Sequence, residues 1–289
     1  MGPLFASLRP AQWTKNAFLV APMVFAEALA EPRLVARVAL AFVAFNAAAS
    51  AIYLVNDLRD REKDRLHPLK CKRPLAAGML KPSTAATVAV VLVASSLATS
   101  LVLGANFGGV LTVYVASNVG YSFGLKNVVI LDVMIVASGY VLRVLAGGLA
   151  AQVEVSTWIL LCTTFLALFL TFSKRRHEIN LLADDAVNQR AVLHHYSPIF
   201  LDQMINVVTA STLLSYALYT LSPDTVARFG STNLVFTLPF VLFGIFRYLY
   251  LVYQVKDERN PTEAIIYDLP FVANGVLWGL ASIAVIYLR

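Results

Sequence analysis

Residues 34–64 read LVARVALAFVAFNAAASAIYLVNDLRDREKD. Positions 34–56 hold one charge, Arg37, and apart from Asn46, Ser50, Tyr53 and Asn56 are otherwise apolar. A helix of that length crosses a hydrocarbon core of about 30 Å. At about 100° per residue, Asn46, Ser50, Tyr53, Asp57, Asp60 and Asp64 fall within roughly 40° of one line, with Asn56 beside it. A polar stripe thus begins inside the apolar run and ends in three stacked carboxylates. Polar groups inside a span are costly and face a cavity or the bundle interior. Like charges three and four residues apart repel, so something positive must stand among them. Carboxylate and amide oxygens suit a hard cation such as Mg²⁺, which makes Asn56, Asp57, Asp60 and Asp64 the candidate metal set. Mg²⁺ is usually shared between one or two carboxylates and substrate phosphates. Arg59, Arg61, Lys63, Arg65, Lys70, Lys72, Arg73 and Lys81 supply the basic surroundings that a phosphate needs.

Similar apolar runs recur along the chain. The 289 residues are 58% hydrophobic and 14% charged, against roughly a quarter charged in soluble domains. Long continuous runs, rather than short alternating ones, predict helices and exclude a barrel. The expected fold is an all-α integral membrane protein with nine transmembrane helices, over 16–30, 34–56, 84–104, 106–122, 129–150, 156–172, 204–222, 233–252 and 268–288. One set of ends (1–15, 57–81, 123–128, 173–203, 253–267) holds 17 of the 23 Lys and Arg residues, and the other holds Arg33, Arg37, Arg228 and Arg289. This bias puts the N-terminus and the acidic motif in the cytoplasm and the C-terminus outside. The net charge of +6 belongs to that membrane face. No basic run carries the platform or groove-reading helix that nucleic-acid binding needs. Arg9 and Lys15 precede a run with no small-residue cleavage site, so a signal peptide is not expected. Residues 3–14 read as a short interfacial helix with Trp13 at headgroup depth. Cys71 and Cys162 form neither a disulfide framework nor a metal motif, and His67, His194 and His195 lack zinc spacing.

Further candidates follow the same face. Asp132 and Arg143 stand three turns apart on one side of the fifth span, with Gly139 and Gly147. They read either as a functional pair or as a structural ion pair. Tyr121 and Lys126 close the fourth span near Asp132. Lys174, Arg175 and Glu178 extend the sixth, where Arg176 and His177 read as a stop-transfer cluster. Arg247, with Tyr248, Tyr250 and Tyr253, ends the eighth, and Glu263 and Asp268 follow it. Charges clustered at one face, rather than at the midplane in paired broken spans, argue against a transporter.

The pattern N-D-x-x-D-x-x-x-D at Asn56–Asp64, in a nine-span helical chain, resembles the UbiA superfamily of intramembrane prenyltransferases. The resemblance implies a single UbiA-like bundle over 1–289, in which the motif holds the pyrophosphate of a polyprenyl donor through Mg²⁺. The family's second aspartate motif is absent. Lys174-Arg175-Arg176-His177-Glu178 stands there, and cations at that place imply direct contact with phosphate. Together with RPAQWTKN (9–16), HPLKCKRPLAAG (67–78), LKNVVILD (125–132), GYVLRVLAGG (139–148) and FGIFRYLYLV (243–252), this resembles the decaprenyl-phosphate phosphoribosyltransferase branch. Members of that branch move phosphoribosyl from phosphoribosyl pyrophosphate (PRPP) to a polyprenyl phosphate, for cell-wall arabinose donors. The resemblance implies Arg73, Lys126 and Lys15 on pyrophosphate oxygens. It puts Lys174 and Arg175 on the ribose 5-phosphate or the lipid phosphate, and Asp132 or Glu178 on ribose hydroxyls. Tyr121, Arg143 and Arg247 complete the expected substrate contacts. An ordinary prenyl transfer to an aromatic acceptor is the alternative, and a homo-oligomer is compatible with either.

Overall fold

The computed structural model describes residues 2–67, 70–182, 191–254 and 267–288. Among these residues every regular element is helical. The chain divides after Val155 into two compact units, Met1–Val155 and Ser156–Arg289.

The first unit is built around α3 (Pro32–Arg59), preceded by α1 (Pro3–Leu8), a 3₁₀ segment Pro10–Leu19, α2 (Ala21–Phe25) and a 3₁₀ turn Ala28–Ala30. After α3 come α4 (Arg61–Arg65), α5 (Pro82–Ala98), α6 (Ser100–Leu103), α7 (Ala105–Phe123) and α8 (Leu131–Ala151). Ala41, Ala44, Ala48 and Ala51 on α3 are fully or nearly fully buried. Small side chains let backbones approach where lipid offers no hydrophobic drive. α3 accordingly packs against α5, α7 and α8. Phe45, Phe107, Leu111 and Tyr114 fill the space between α3 and α7. Gly147 performs the same service for the N-terminal segment: a Cβ there would overlap the Leu19 backbone, whose Cα would lie 2.9 Å away.

Arg37 ties the far end of this unit. Its guanidinium donates to the carbonyls of Ala150 (2.9 Å), Val102 (3.1 Å) and Leu103 (3.1 Å). These carbonyls belong to the last turns of α8 and α6, where helical acceptors have no partner of their own and the dipole favours a cation. Arg37→Met should keep the aliphatic packing and orphan three carbonyls. The expected loss is about 1–3 kcal/mol, read as a lower melting temperature in detergent.

The second unit holds α9 (Thr157–Leu182), α10 (Pro198–Leu221), α11 (Pro223–Phe229), a 3₁₀ segment Asn233–Thr237, α12 (Leu238–Tyr253) and α13 (Leu269–Tyr287). Tyr216 shares a 2.7 Å hydrogen bond with Thr237 Oγ1 and accepts one from Trp278 Nε1 at 2.9 Å. Three segments thereby satisfy one another's polar groups where water is scarce.

Among the described residues, seven helices are long and apolar enough to cross a membrane: Pro32–Arg59, Pro82–Leu103, Leu131–Ala151, Thr157–Ile179, Pro198–Leu221, Asn233–Tyr253 and Leu269–Tyr287. The expected span 106–122 forms the 19-residue α7, whose Asn, Ser, Tyr and Gly content leaves it out of this set. The expected span 16–30 is not one helix. It is a 3₁₀ stretch, a five-residue helix and a 3₁₀ turn. Pro22 has no N–H to continue the preceding turn, and Asn16 is taken by partners elsewhere in the unit. The expected helix over 3–14 also breaks, at Arg9, which has φ 54° and ψ 62°.

Candidate active site

The predicted stripe is present on α3, with one break. α3 ends at Arg59, and Asp60 is its C-cap with φ −87° and ψ 4°. The Asp60 carbonyl accepts from Asp64 N at 2.8 Å, so α4 brings Asp64 back toward the same side. Asp57 and Asp64 are 2% and 4% exposed. Both converge on one atom of Arg73, whose Nη1 lies 3.1 Å from Asp57 Oδ1 and 2.6 Å from Asp64 Oδ2. Lys126 Nζ reaches both oxygens of Asp60, at 2.9 and 2.8 Å. Ser122 Oγ donates to Asn56 Oδ1 at 3.4 Å, and the Ser122 carbonyl accepts from Arg59. Lys126 is placed by Gly124, which ends α7 at φ 155°, a conformation other residues rarely adopt. Ile130, with φ 68° and ψ −44°, then caps the start of α8. A β-branched residue there marks backbone held by its surroundings.

Sequence reasoning did not find Arg9. Its Nη2 lies 2.6 Å from Asp57 Oδ1, and its guanidinium lies 4.8 Å from the Tyr53 ring centroid. Behind it, Trp13 Nε1 donates to Ser50 Oγ at 3.1 Å, and Asn16 Nδ2 to Asn46 Oδ1 at 2.5 Å. The order 9–57, 13–50, 16–46 means that the N-terminal segment runs antiparallel along α3. Its polar residues complete the stripe. Lys15 is half-buried in this segment, and Tyr121 is half-buried on the last turn of α7.

Arg143 is 7% exposed and is satisfied by Asn16 Oδ1 (2.5 Å), the Gly139 carbonyl (2.6 Å) and Tyr114 OH (2.8 Å). The alternative of an Asp132–Arg143 ion pair is corrected. Eleven residues put the two on one face but about 16 Å apart along the axis, beyond the reach of either side chain. Asp132 lies fully buried in the first turn of α8.

In the second unit, α9 does continue past the apolar run and carries Lys174, Arg175 and Glu178. Arg175 is 2% exposed and donates to Glu178 Oε2 at 2.8 Å. Arg176, read as a topology signal, donates to Asp202 at 2.8 Å and lies over Tyr253, whose hydroxyl also donates to Asp202. Asp202 was not singled out by the sequence. Arg247 makes two hydrogen bonds to Asp268, at 3.1 and 2.8 Å. These bonds hold the Asp268 carboxyl below its ordinary range. Glu263 lies outside the described residues. Cys71 and Cys162 are both half-buried and are not joined to each other.

Among the described residues no three acidic, His or Cys side chains gather at metal-ligand spacing. The donor chemistry nevertheless fits Mg²⁺. Asp57 and Asp64 focus two carboxylates on a single cationic nitrogen, and Mg²⁺ needs only one or two protein carboxylates beside phosphate oxygens.

A multi-pass helical chain whose central helix ends in an acidic stripe surrounded by basic side chains fits the intramembrane transferases. The chain belongs to the UbiA prenyltransferase family, whose model matches residues 17–274. It is 37% identical to decaprenyl-phosphate phosphoribosyltransferase of Corynebacterium glutamicum over 291 positions, covering 99% of this chain and 87% of that protein. It is 39% identical to the enzyme of the same name from Mycolicibacterium smegmatis over 225 positions, 76% of this chain and 71% of that one. A UbiA homologue from Archaeoglobus fulgidus, solved bound to DMAPP and Mg²⁺, shares the fold with a TM-score of 0.74, 20% identity and full coverage of both chains.

Proposed function

We propose that this protein transfers a 5-phosphoribosyl group from PRPP to a decaprenyl-type polyprenyl phosphate and releases pyrophosphate. One observation carries the reading: an acidic stripe focused on cations, in a chain 37% identical over nearly its whole length to decaprenyl-phosphate phosphoribosyltransferase. The lipid phosphate oxygen forms a bond to the anomeric carbon, and the bond from that carbon to pyrophosphate breaks. The attacking phosphate is already anionic near neutral pH, so no strong base is required. Mg²⁺, held by Asn56, Asp57, Asp60 and Asp64, would neutralise charge on the leaving pyrophosphate. Arg73, Lys126 and Lys15 contact its oxygens, and such preorganised cations favour the charge that develops on departure. Asp132 and Glu178 hold ribose hydroxyls or steady the basic groups. Tyr121 and Arg247 complete the substrate contacts. Arg143, engaged by Asn16 and Tyr114, serves by positioning.

We further propose that 1–289 acts as one UbiA-like domain in the cell (inner) membrane, with the N-terminus and site cytoplasmic and the C-terminus outside. α7 and the broken 10–30 segment then complete nine passages. At about 2.0 Å per residue in its 3₁₀ part, that segment is long enough to cross beside α3.

The test is a detergent assay with Mg²⁺, radiolabelled PRPP and a polyprenyl phosphate, scored for label entering the lipid phase. Label in the lipid is expected. Transfer instead from a polyprenyl pyrophosphate to an aromatic acceptor overturns the reading. Lys174 and Arg175 are assigned the ribose 5-phosphate or the lipid phosphate. Lys174→Ala with Arg175→Ala should raise the KM for one of the two substrates by about 10- to 100-fold. Unchanged KM values for both would reduce this cluster to a topology signal.

A further inference from the structure

Every carboxylate at the end of α3 is engaged by a cation of the chain itself: Arg9 and Arg73 on Asp57, Arg73 on Asp64, Lys126 on Asp60. Arg9 differs from the other two. It comes from the N-terminal segment, whereas Arg73 follows the motif and Lys126 lies between α7 and α8, and its backbone lies in the left-handed region immediately before Pro10. A non-glycine residue stays there only where its surroundings hold it. Those surroundings are the Asp57 carboxylate, the Tyr53 ring and the Trp13–Ser50 and Asn16–Asn46 hydrogen bonds that pin the following turns. The oxygen that Arg9 holds, Asp57 Oδ1, is the same one that Arg73 holds. The Arg9 side chain is 26% exposed, whereas that of Asp57 is 2% exposed. The arginine, not the aspartate, has somewhere to go.

We infer that Arg9 is an exchangeable counter-ion of Asp57, a positioning residue that couples binding of the divalent cation to binding of a diphosphate. The inference rests on the metal–diphosphate reading above. A divalent cation arriving alone must take Asp57 Oδ1 from a guanidinium and leave two positive groups side by side. A diphosphate arriving with it gives the released guanidinium an acceptor that it can bind through two parallel hydrogen bonds. Each ligand therefore strengthens the other, reciprocally. Removing Arg9 has two effects of opposite sign: metal alone binds more tightly because its competitor is gone, and diphosphate adds less because its partner is gone. An arginine that only supports the fold produces neither effect.

The experiment is Mn²⁺ titration of the full chain in detergent, read by the electron paramagnetic resonance signal of bound Mn²⁺. It is run with and without inorganic pyrophosphate, with allowance for the Mn²⁺–pyrophosphate complex in buffer. In the unaltered protein pyrophosphate should tighten Mn²⁺ by about tenfold or more. In Arg9→Gln, Mn²⁺ alone should bind several-fold more tightly, and the pyrophosphate effect should fall toward none. Arg9→Lys keeps the charge without the two-pronged contact, so it should keep the weak metal-only binding and lose part of the coupling. It supplies the coupling readout if the glutamine variant does not fold. Equal Mn²⁺ affinity with and without pyrophosphate in the unaltered protein overturns the exchange and leaves the metal reading standing. Unchanged behaviour of the Arg9 variants does the same. No bound Mn²⁺ under either condition overturns both.

Discussion

Asp64→Asn is expected to lower kcat/KM by about 10³-fold or more while leaving the protein folded, and Asp57→Asn should do the same. Asparagine keeps the shape of the side chain and loses the charge that attracts a divalent cation. The reason for retained folding lies in the cations around it. Arg73 still has the other carboxylate, and Arg9 and Arg73 are each about a quarter exposed, so neither is left buried and unpaired. The label-transfer assay and a detergent melting curve, run on the same preparations, check both halves. Full turnover in either variant would remove the carboxylates from the metal site.

Arg73→Ala should differ from these variants in kind. It withdraws the one nitrogen shared by Asp57 and Asp64, and Asp64 is then buried without that cation. Truncating one partner of a fully buried pair costs about 3–5 kcal/mol, and the partial exposure of Arg73 reduces this to about 1–3 kcal/mol. Turnover should fall by about 10²-fold if the proposed phosphate contact is lost as well. The distinguishing measurement is the melting temperature against Mg²⁺ concentration. Mg²⁺ should stabilise the alanine variant more than the parent, because it replaces a missing positive charge. Equal Mg²⁺ responses would mean that the metal does not occupy the place between these two carboxylates.

The stripe on α3 was legible in the sequence because lipid imposes helical periodicity on polar residues with unusual force. Asn46, Ser50, Tyr53 and Asp57 could share one line only by design of the interior. Asp60 interrupts the helix, yet the reading survives because the next turn restores Asp64 to that side. The cations were less legible. The basic surroundings point to phosphate, and the pairing of Arg73 with Asp57 and Asp64 and of Lys126 with Asp60 is set by the fold. Arg9 and Asn16 lie in the RPAQWTKN stretch, which the resemblance marked, but apolarity alone read its surroundings as an interfacial helix and a span. What those residues do is fixed by hydrogen bonds to α3 and α8, which no local pattern encodes. Arg143 shows the opposite error. The angular argument put Asp132 on its face correctly, and the axial rise of the helix separates them. Asp202 carried no periodic signal, since its role is defined only by Arg176 and Tyr253.

The seat of the N-terminal segment also orders events during synthesis. Residues 10–30 have no long helix of their own to satisfy their backbone, and the groove that receives them is closed by Gly147 and Arg143 on α8. That helix leaves the ribosome more than a hundred residues later, a wait of about 10 s at common elongation rates. Residues 10–30 are thus among the last of their unit to settle. Until that segment settles, Arg9 is not at Asp57, so a nascent chain holds Asp57 through Arg73 alone and gains the second guanidinium only once α8 is in place.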